Sequence, residues 1–141
     1  MAPDKEIKLE LPSILGYEKV AMDSVASVAR TMGFSPAQVE DLKTAVSEAC
    51  LNAIDHGNKL NASMKVGVVL TMEKSKLQVT VRDEGRGIGS VGVPSIEDKV
   101  EGRDEPRGWG TFLIKSLMDE VEFEDTPEGG NLVRMVIHLK K

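Results

Sequence analysis

Glu48, Asn52 and His56 stand four residues apart in SEACLNAIDHG, residues 47–57. On a helix of about 3.6 residues per turn, that spacing sets a carboxylate, an amide and an imidazole along one edge. Such a ladder has ingredients of a metal site. A single imidazole without H-E-x-x-H argues against zinc, whereas the Asn52 amide oxygen suits Mg²⁺ if phosphates supply further ligands. Taken alone, the same residues are better explained as a solvated helix edge, with His56 well placed at the negative end of the helix dipole.

Two glycine-rich segments extend the chemistry. VTVRDEGRGIG, residues 79–89, runs from a strand into D-x-G-x-G at Asp83, Gly85 and Gly87. Glycines there permit a tight loop and close backbone approach to a ligand, and Asp83 could accept a hydrogen bond from a ligand amine. A tight turn after a strand explains the same pattern. PRGWGTFLIKSLMDEV, residues 106–121, places Gly108 and Gly110 at the start of a helix, followed by Thr111. Free N–H groups and the positive end of the dipole would cradle phosphate there, and Arg107 would add charge. Neither the Walker A pattern nor G-x-G-x-x-G is present.

Alternating apolar residues over 6–11 predict a strand ended by Pro12, and helical spacing predicts a helix over 15–32 stopped by Gly33. Ser35 as N-cap and Pro36 at the first helical position open a second helix running to His56. Its core face gathers Val39, Leu42, Val46, Ala49, Cys50 and Ala53; Glu48, Asn52 and His56 lie roughly 110° from the centre of that face, flanking it as the wall of a cleft would. Leu51, farther round, is expected to be exposed unless covered. Runs 64–73 and 76–83 predict two strands joined at Lys74-Ser75, residues 83–110 a mostly irregular segment, 110–118 a third helix, and 121–124 with 131–139 a closing antiparallel pair. Grouped elements of this kind predict an α+β domain with helices stacked on one face of a mostly antiparallel sheet.

The chain of 141 residues is 40% apolar, about one domain's worth. A formal charge of −5 and a pI near 5.1, with no Lys/Arg cluster, argue against direct nucleic-acid binding. No apolar run approaches the length that spans a bilayer, and charges in MAPDKEIKLELP stand where a signal peptide would be apolar, so a cytoplasmic location without membrane association is expected. Cys50 is the sole cysteine, which excludes an internal disulfide and C-x-x-C chemistry. Its place on the apolar side of the helix predicts a small core residue.

Together, E-A-x-x-N-A-x-x-H-G at 48–57, D-x-G-x-G at 83–87 and R-G-x-G-x-x-L-I at 107–114 resemble the boxes of the ATPase superfamily shared by gyrase, histidine kinases and MutL. Within it the chain is similar to the anti-sigma factor serine kinases, through the form of the first box, a short lid and G-x-G-x-x-L-I-K-S-L-M-D-E-V. The resemblance implies a Bergerat fold over 1–141: a two-layer α+β sandwich with helices on one face of a mixed, mostly antiparallel sheet. It implies ATP and Mg²⁺ as cofactors, Glu48 as general base toward a serine hydroxyl, and Asn52 as the residue holding Mg²⁺ against the triphosphate. Asp83 would accept from the adenine amino group, and Gly85 and Gly87 would let the backbone close around the base. Arg107, Gly108, Gly110 and Thr111 would border the phosphates, with His56 contacting them or closing its helix. Some family members carry an arginine two positions before the first glycine of the last box; here that place is Pro106 and the arginine is Arg107.

The partners so implied are an anti-anti-sigma (STAS-type) protein as phospho-acceptor, a sigma factor and a second copy of the chain. Phosphoryl transfer rests mainly on positioning and charge neutralisation, which one metal, a cradle and one carboxylate can supply. The alternatives are a nucleotide-binding partner switch without kinase activity, a kinase in a different phospho-switch pathway, and an adaptor with a decayed site.

Overall fold

A computed structural model describes residues 5–85, 104–127 and 129–140, with backbone alone over 104–109. Strand β1 (Lys5–Pro12) leads to helices α1 (Glu18–Met32) and α2 (Pro36–Asn52), a π turn (Ala53–Gly57), strands β2 (Lys65–Met72) and β3 (Lys76–Arg82), helix α3 (Asp104–Leu117), and strands β4 (Glu120–Asp125) and β5 (Asn131–His138). The five strands lie in the order β1-β2-β3-β5-β4, with every neighbouring pair antiparallel. The α+β expectation holds, and the described sheet is antiparallel throughout.

Period-two alternation separates the two faces of the sheet. One set of rungs aligns Leu9, Val68, Val81, Val133 and Phe123, and beside it Ile7, Leu70, Val79, Met135 and Val121. This face is covered at its centre by α2, which lies between α1 and α3. The opposite face is polar: Lys8, Val69, Thr80, Arg134 and Glu122 form one rung, and Arg134 donates to Glu122 at 2.7 Å and Glu124 at 2.8 Å. These bonds hold the Arg134 guanidinium above its usual pKa, so it stays charged.

The expected core face of α2 is buried in full, from Val39 to Ala53. Cys50 is completely buried, and loss of hydration, aided by the charge of Glu18, pushes its pKa up to about 12. A thiol so placed is a core residue. Leu51 is half-buried on the far side of the helix.

Local chemistry explains the boundaries. Gly33, at φ 98°, ends α1 in the left-handed conformation, and Ser35 and Gln38 form a reciprocal capping box at α2. The first helix begins at Glu18 instead of residue 15 because Gly16, at φ 107°, stands outside helical space, and Val20 faces solvent, 44% exposed. Helix α2 gives way after Asn52 to the π turn, in which the Asn58 N–H reaches the Ala53 carbonyl at 2.8 Å. The third helix starts at Asp104, six residues before its expected start at Gly110, so the end of the segment read as irregular is helical. Asp104, Glu105 and Pro106 are all favourable in a first helical turn, which outweighs the two glycines that follow.

Candidate functional site

The π turn carries the chain end of α2 across the sheet to the loop that follows β3. A Cβ placed on Gly57 would lie 2.1 Å from Asp83 Oδ2, and one on Gly85 would lie 1.7 Å from the Gly57 carbonyl oxygen. From the other side, Gly130 in the β4–β5 turn has φ 95°, and a Cβ there would meet the Asp83 carbonyl oxygen at 2.3 Å. Three glycines from three distant segments therefore let backbone close on Asp83 where no side chain would fit.

Hydrogen bonds then fix the carboxylate. Asp83, only 4% exposed, accepts at Oδ1 from the N–H groups of Gly85 and Asn131, both at 3.0 Å, and its own N–H donates to the Asn131 carbonyl at 3.0 Å. A buried acid with its rotamer set by two backbone donors is suited to recognising a donor on a ligand.

At the other end, α3 crosses α2 at Gly110. A Cβ on Gly110 would stand 2.7 Å from Glu48 Oε1, 3.3 Å from Asn52 Nδ2 and 3.7 Å from Asn52 Oδ1. The acid and the amide of the first box thus share one small volume with the glycine of the last box. Between the two ends lies a cleft of about 300 Å³, at the small end of the range for ligand sites. Asn52, His56, Asp83, Thr111, Phe123 and Asn131 are among the residues lining it.

Asn52, His56, Asp83 and Thr111 accordingly come together on one cavity. Gly85 supports Asp83, and Glu48 adjoins the cavity behind Gly110, half-buried, without lining it. Gly87 and most of the lid lie outside the described residues, as does the side chain of Arg107. The phosphate cradle is corrected in one respect. Only the first four N–H groups of an α-helix lack helical partners, and Gly108 and Gly110 are the fifth and seventh residues of α3. In this conformation their amides belong to the helix, and Gly110 serves instead as a close-contact point.

No group of three or more His, Cys, Asp or Glu side chains among the described residues could hold a metal. The Asn52 amide oxygen fits a hard cation that brings most of its own oxygen ligands, as Mg²⁺ with phosphates does. Gly57, Gly130, Asn131 and Phe123 were not singled out by sequence as site residues. Gly57 closes the first box and Gly130 stands in the turn between β4 and β5, and their contact with Asp83 is made across the fold.

The antiparallel two-layer sandwich, with the three boxes meeting around one cleft, defines the architecture of a nucleotide-binding ATPase domain. The family model for the histidine kinase-like ATPase domain matches residues 11–137, and the chain belongs to that family. It is similar to the serine-protein kinase RsbW of Bacillus subtilis, at 35% identity over 79 residues, which cover 56% of this chain and 49% of that protein. RsbW of Bacillus thuringiensis is 31% identical over 81 residues, covering 57% and 50%. The match takes in about half the length of these curated relatives. A solved structure of the RsbU and RsbW domains of Rv1364c from Mycobacterium tuberculosis shares the fold, with a TM-score of 0.71 at 16% identity, covering 99% of this chain and 34% of that one. No helix among the described residues is long and apolar enough to cross a membrane.

Proposed function

We propose that the chain is an ATP-dependent protein-serine kinase that phosphorylates a serine of an anti-anti-sigma (STAS-type) partner and sequesters a sigma factor. The observation that carries the kinase half is the meeting of Glu48, Asn52 and Gly110 at one end of a cleft whose other end holds the fixed carboxylate of Asp83. Serine as the acceptor is supported by the similarity to proteins named serine-protein kinase, and the anti-anti-sigma and sigma partners by the resemblance carried in the sequence boxes.

In this proposal Asp83 accepts from the adenine amino group, Gly85 and Gly87 let the backbone lie against the base, and Asn52 holds Mg²⁺ with the phosphates. The metal neutralises charge on the triphosphate when bound. Thr111 and His56 border the phosphates from the cleft walls, and Arg107 from the start of α3. Glu48 orients the serine hydroxyl and takes its proton as transfer proceeds. The protein works in the cytoplasm as a homodimer, a state supported by the exposed apolar side chains of Ile7 on β1, Ile14, Leu15 and Tyr17 in the connection that follows, and Val20 on α1.

The test is labelled ATP with Mg²⁺ and serine-bearing anti-anti-sigma proteins of the same genome. Glu48→Ala is expected to retain ATP binding while transfer falls on the order of a thousandfold, and Asn52→Ala to weaken Mg²⁺-dependent ATP binding. A wild-type protein that binds no adenine nucleotide by calorimetry sinks the proposal. One that binds ATP yet modifies no acceptor points instead to a partner switch without kinase activity.

A further inference from the structure

Behind the Asp83 loop, away from the cleft, a single side chain ties three segments together. Asn58 is 1% exposed. Its Oδ1 accepts from the Glu84 N–H at 2.9 Å, and its Nδ2 donates to Ser13 Oγ at 2.8 Å and to the Lys65 carbonyl at 3.0 Å. The orientation of the amide is forced, because a main-chain N–H can meet only the oxygen and a main-chain carbonyl only the nitrogen. Ser13 in turn donates to the Met64 carbonyl at 2.8 Å, and the Lys65 N–H donates to Glu84 Oε2 at 2.5 Å.

Glu84 follows Asp83 in sequence, so a bond to its N–H fixes the peptide that joins it to Asp83. Asp83 is held from the front by Asn131 and Gly85. Asn58 holds it from behind, and neither Asn58 nor Ser13 lines the cleft. Buried amides with every partner satisfied are costly to disrupt and specify one geometry.

We infer that Asn58 is a positioning residue for base recognition: with Ser13 behind it, it sets the peptide after Asp83 so that the carboxylate meets an amino donor at the far end of the cleft. The inference rests on the ATP reading proposed above. Adenine offers an amine where guanine offers a carbonyl, so displacement of Asp83 weakens ATP binding more than GTP binding, and the ratio of the two affinities reports the position of the carboxylate. A purely structural role would lower both alike.

The experiment measures dissociation constants for ATP and GTP by calorimetry on wild type, Asn58→Ala, Ser13→Ala and the double variant, with folding checked by circular dichroism. The expected result is a preference for ATP in wild type that falls about tenfold in Asn58→Ala and about threefold in Ser13→Ala. The double variant should resemble Asn58→Ala, since the two act through one chain of bonds. Ser13→Ala, which keeps the buried amide, decides the matter if Asn58→Ala does not fold. An unchanged ratio in the folded variants, or an equal loss for both nucleotides, overturns the inference and leaves the ATP assignment standing. A wild type that binds neither nucleotide removes that assignment and this inference with it.

Discussion

The two ends of the cleft are built in different ways. Around Asp83, backbone from three segments is packed so closely that Gly57, Gly85 and Gly130 admit no Cβ, and hydrogen bonds fix the carboxylate. Around Glu48 and Asn52, the described contact that closes the space is one helical glycine, Gly110, against flexible side-chain ends. The first arrangement suits recognition of a rigid group. The second suits chemistry on groups that must enter and leave. Substitution of a close-packed glycine at the Asp83 end should therefore be felt as stability, and at the Glu48 end as activity.

Gly130→Ala tests the rigid end most severely. It combines a left-handed φ of 95° with a 2.3 Å approach to a main-chain oxygen, so urea denaturation should show a loss of about 3 kcal/mol or more. Gly110→Ala is the counterpart. Alanine is favoured by about 1 kcal/mol inside a helix, and the clash is with a movable carboxylate, so stability should change little. Displacing Glu48 should still cut phosphoryl transfer by about a hundredfold, measured with labelled ATP at saturation. If Gly110→Ala instead destabilises as much as Gly130→Ala, the contrast between the ends is wrong.

Asp83→Asn sharpens the distinction within the rigid end. The amide oxygen can still accept from Gly85 and Asn131, so the fold should survive. Its nitrogen would oppose a ligand amine, and ATP affinity should fall about tenfold by calorimetry.

At neutral pH the smallest effect belongs to the core that both ends share, where the response is confined to alkaline solution. The Cys50 pKa is raised from 9.0 to about 12 in the folded chain, so the folded state holds a proton that the unfolded state releases above pH 9. The stabilisation is complete below pH 9 and is lost as pH rises from 9 to 12, at about 1.4 kcal/mol per pH unit. Cys50→Ala should flatten that alkaline decline in urea titrations. The native thiol should also resist aromatic disulfide reagents at pH 8.

The same contrast decides what could be read from the residues alone. The buried face of α2 follows from helical periodicity, and the strands from alternation, because those signals are local. Glu48 and Asn52 could be placed on one edge for the same reason, whereas His56 lies in the π turn beyond the helix, and the three boxes supplied the family. The surroundings of Asp83 could not be derived in this way. Gly130 and Asn131 reach it only after β3 has paired with β5, and Gly57 only after α2 has packed on the sheet, and nothing near each residue encodes that meeting. The start of α3 was placed late because its glycines outweighed the helix-opening acids in a local reading, whereas Gly110 is tolerated in the helix for its approach to α2.

The π turn at Ala53–Gly57 has a further consequence, in the phase of the chain. It is a single widened coil between a helix that ends at Asn52 and a glycine that must touch Asp83. Removing one residue from it would restore α-helical phase, swing His56 round the helix axis and draw Gly57 back from the carboxylate. Substitution of the exposed Asp55 would do neither. What this segment holds constant is a count of residues, so its tolerance to exchange and its intolerance to deletion should differ sharply.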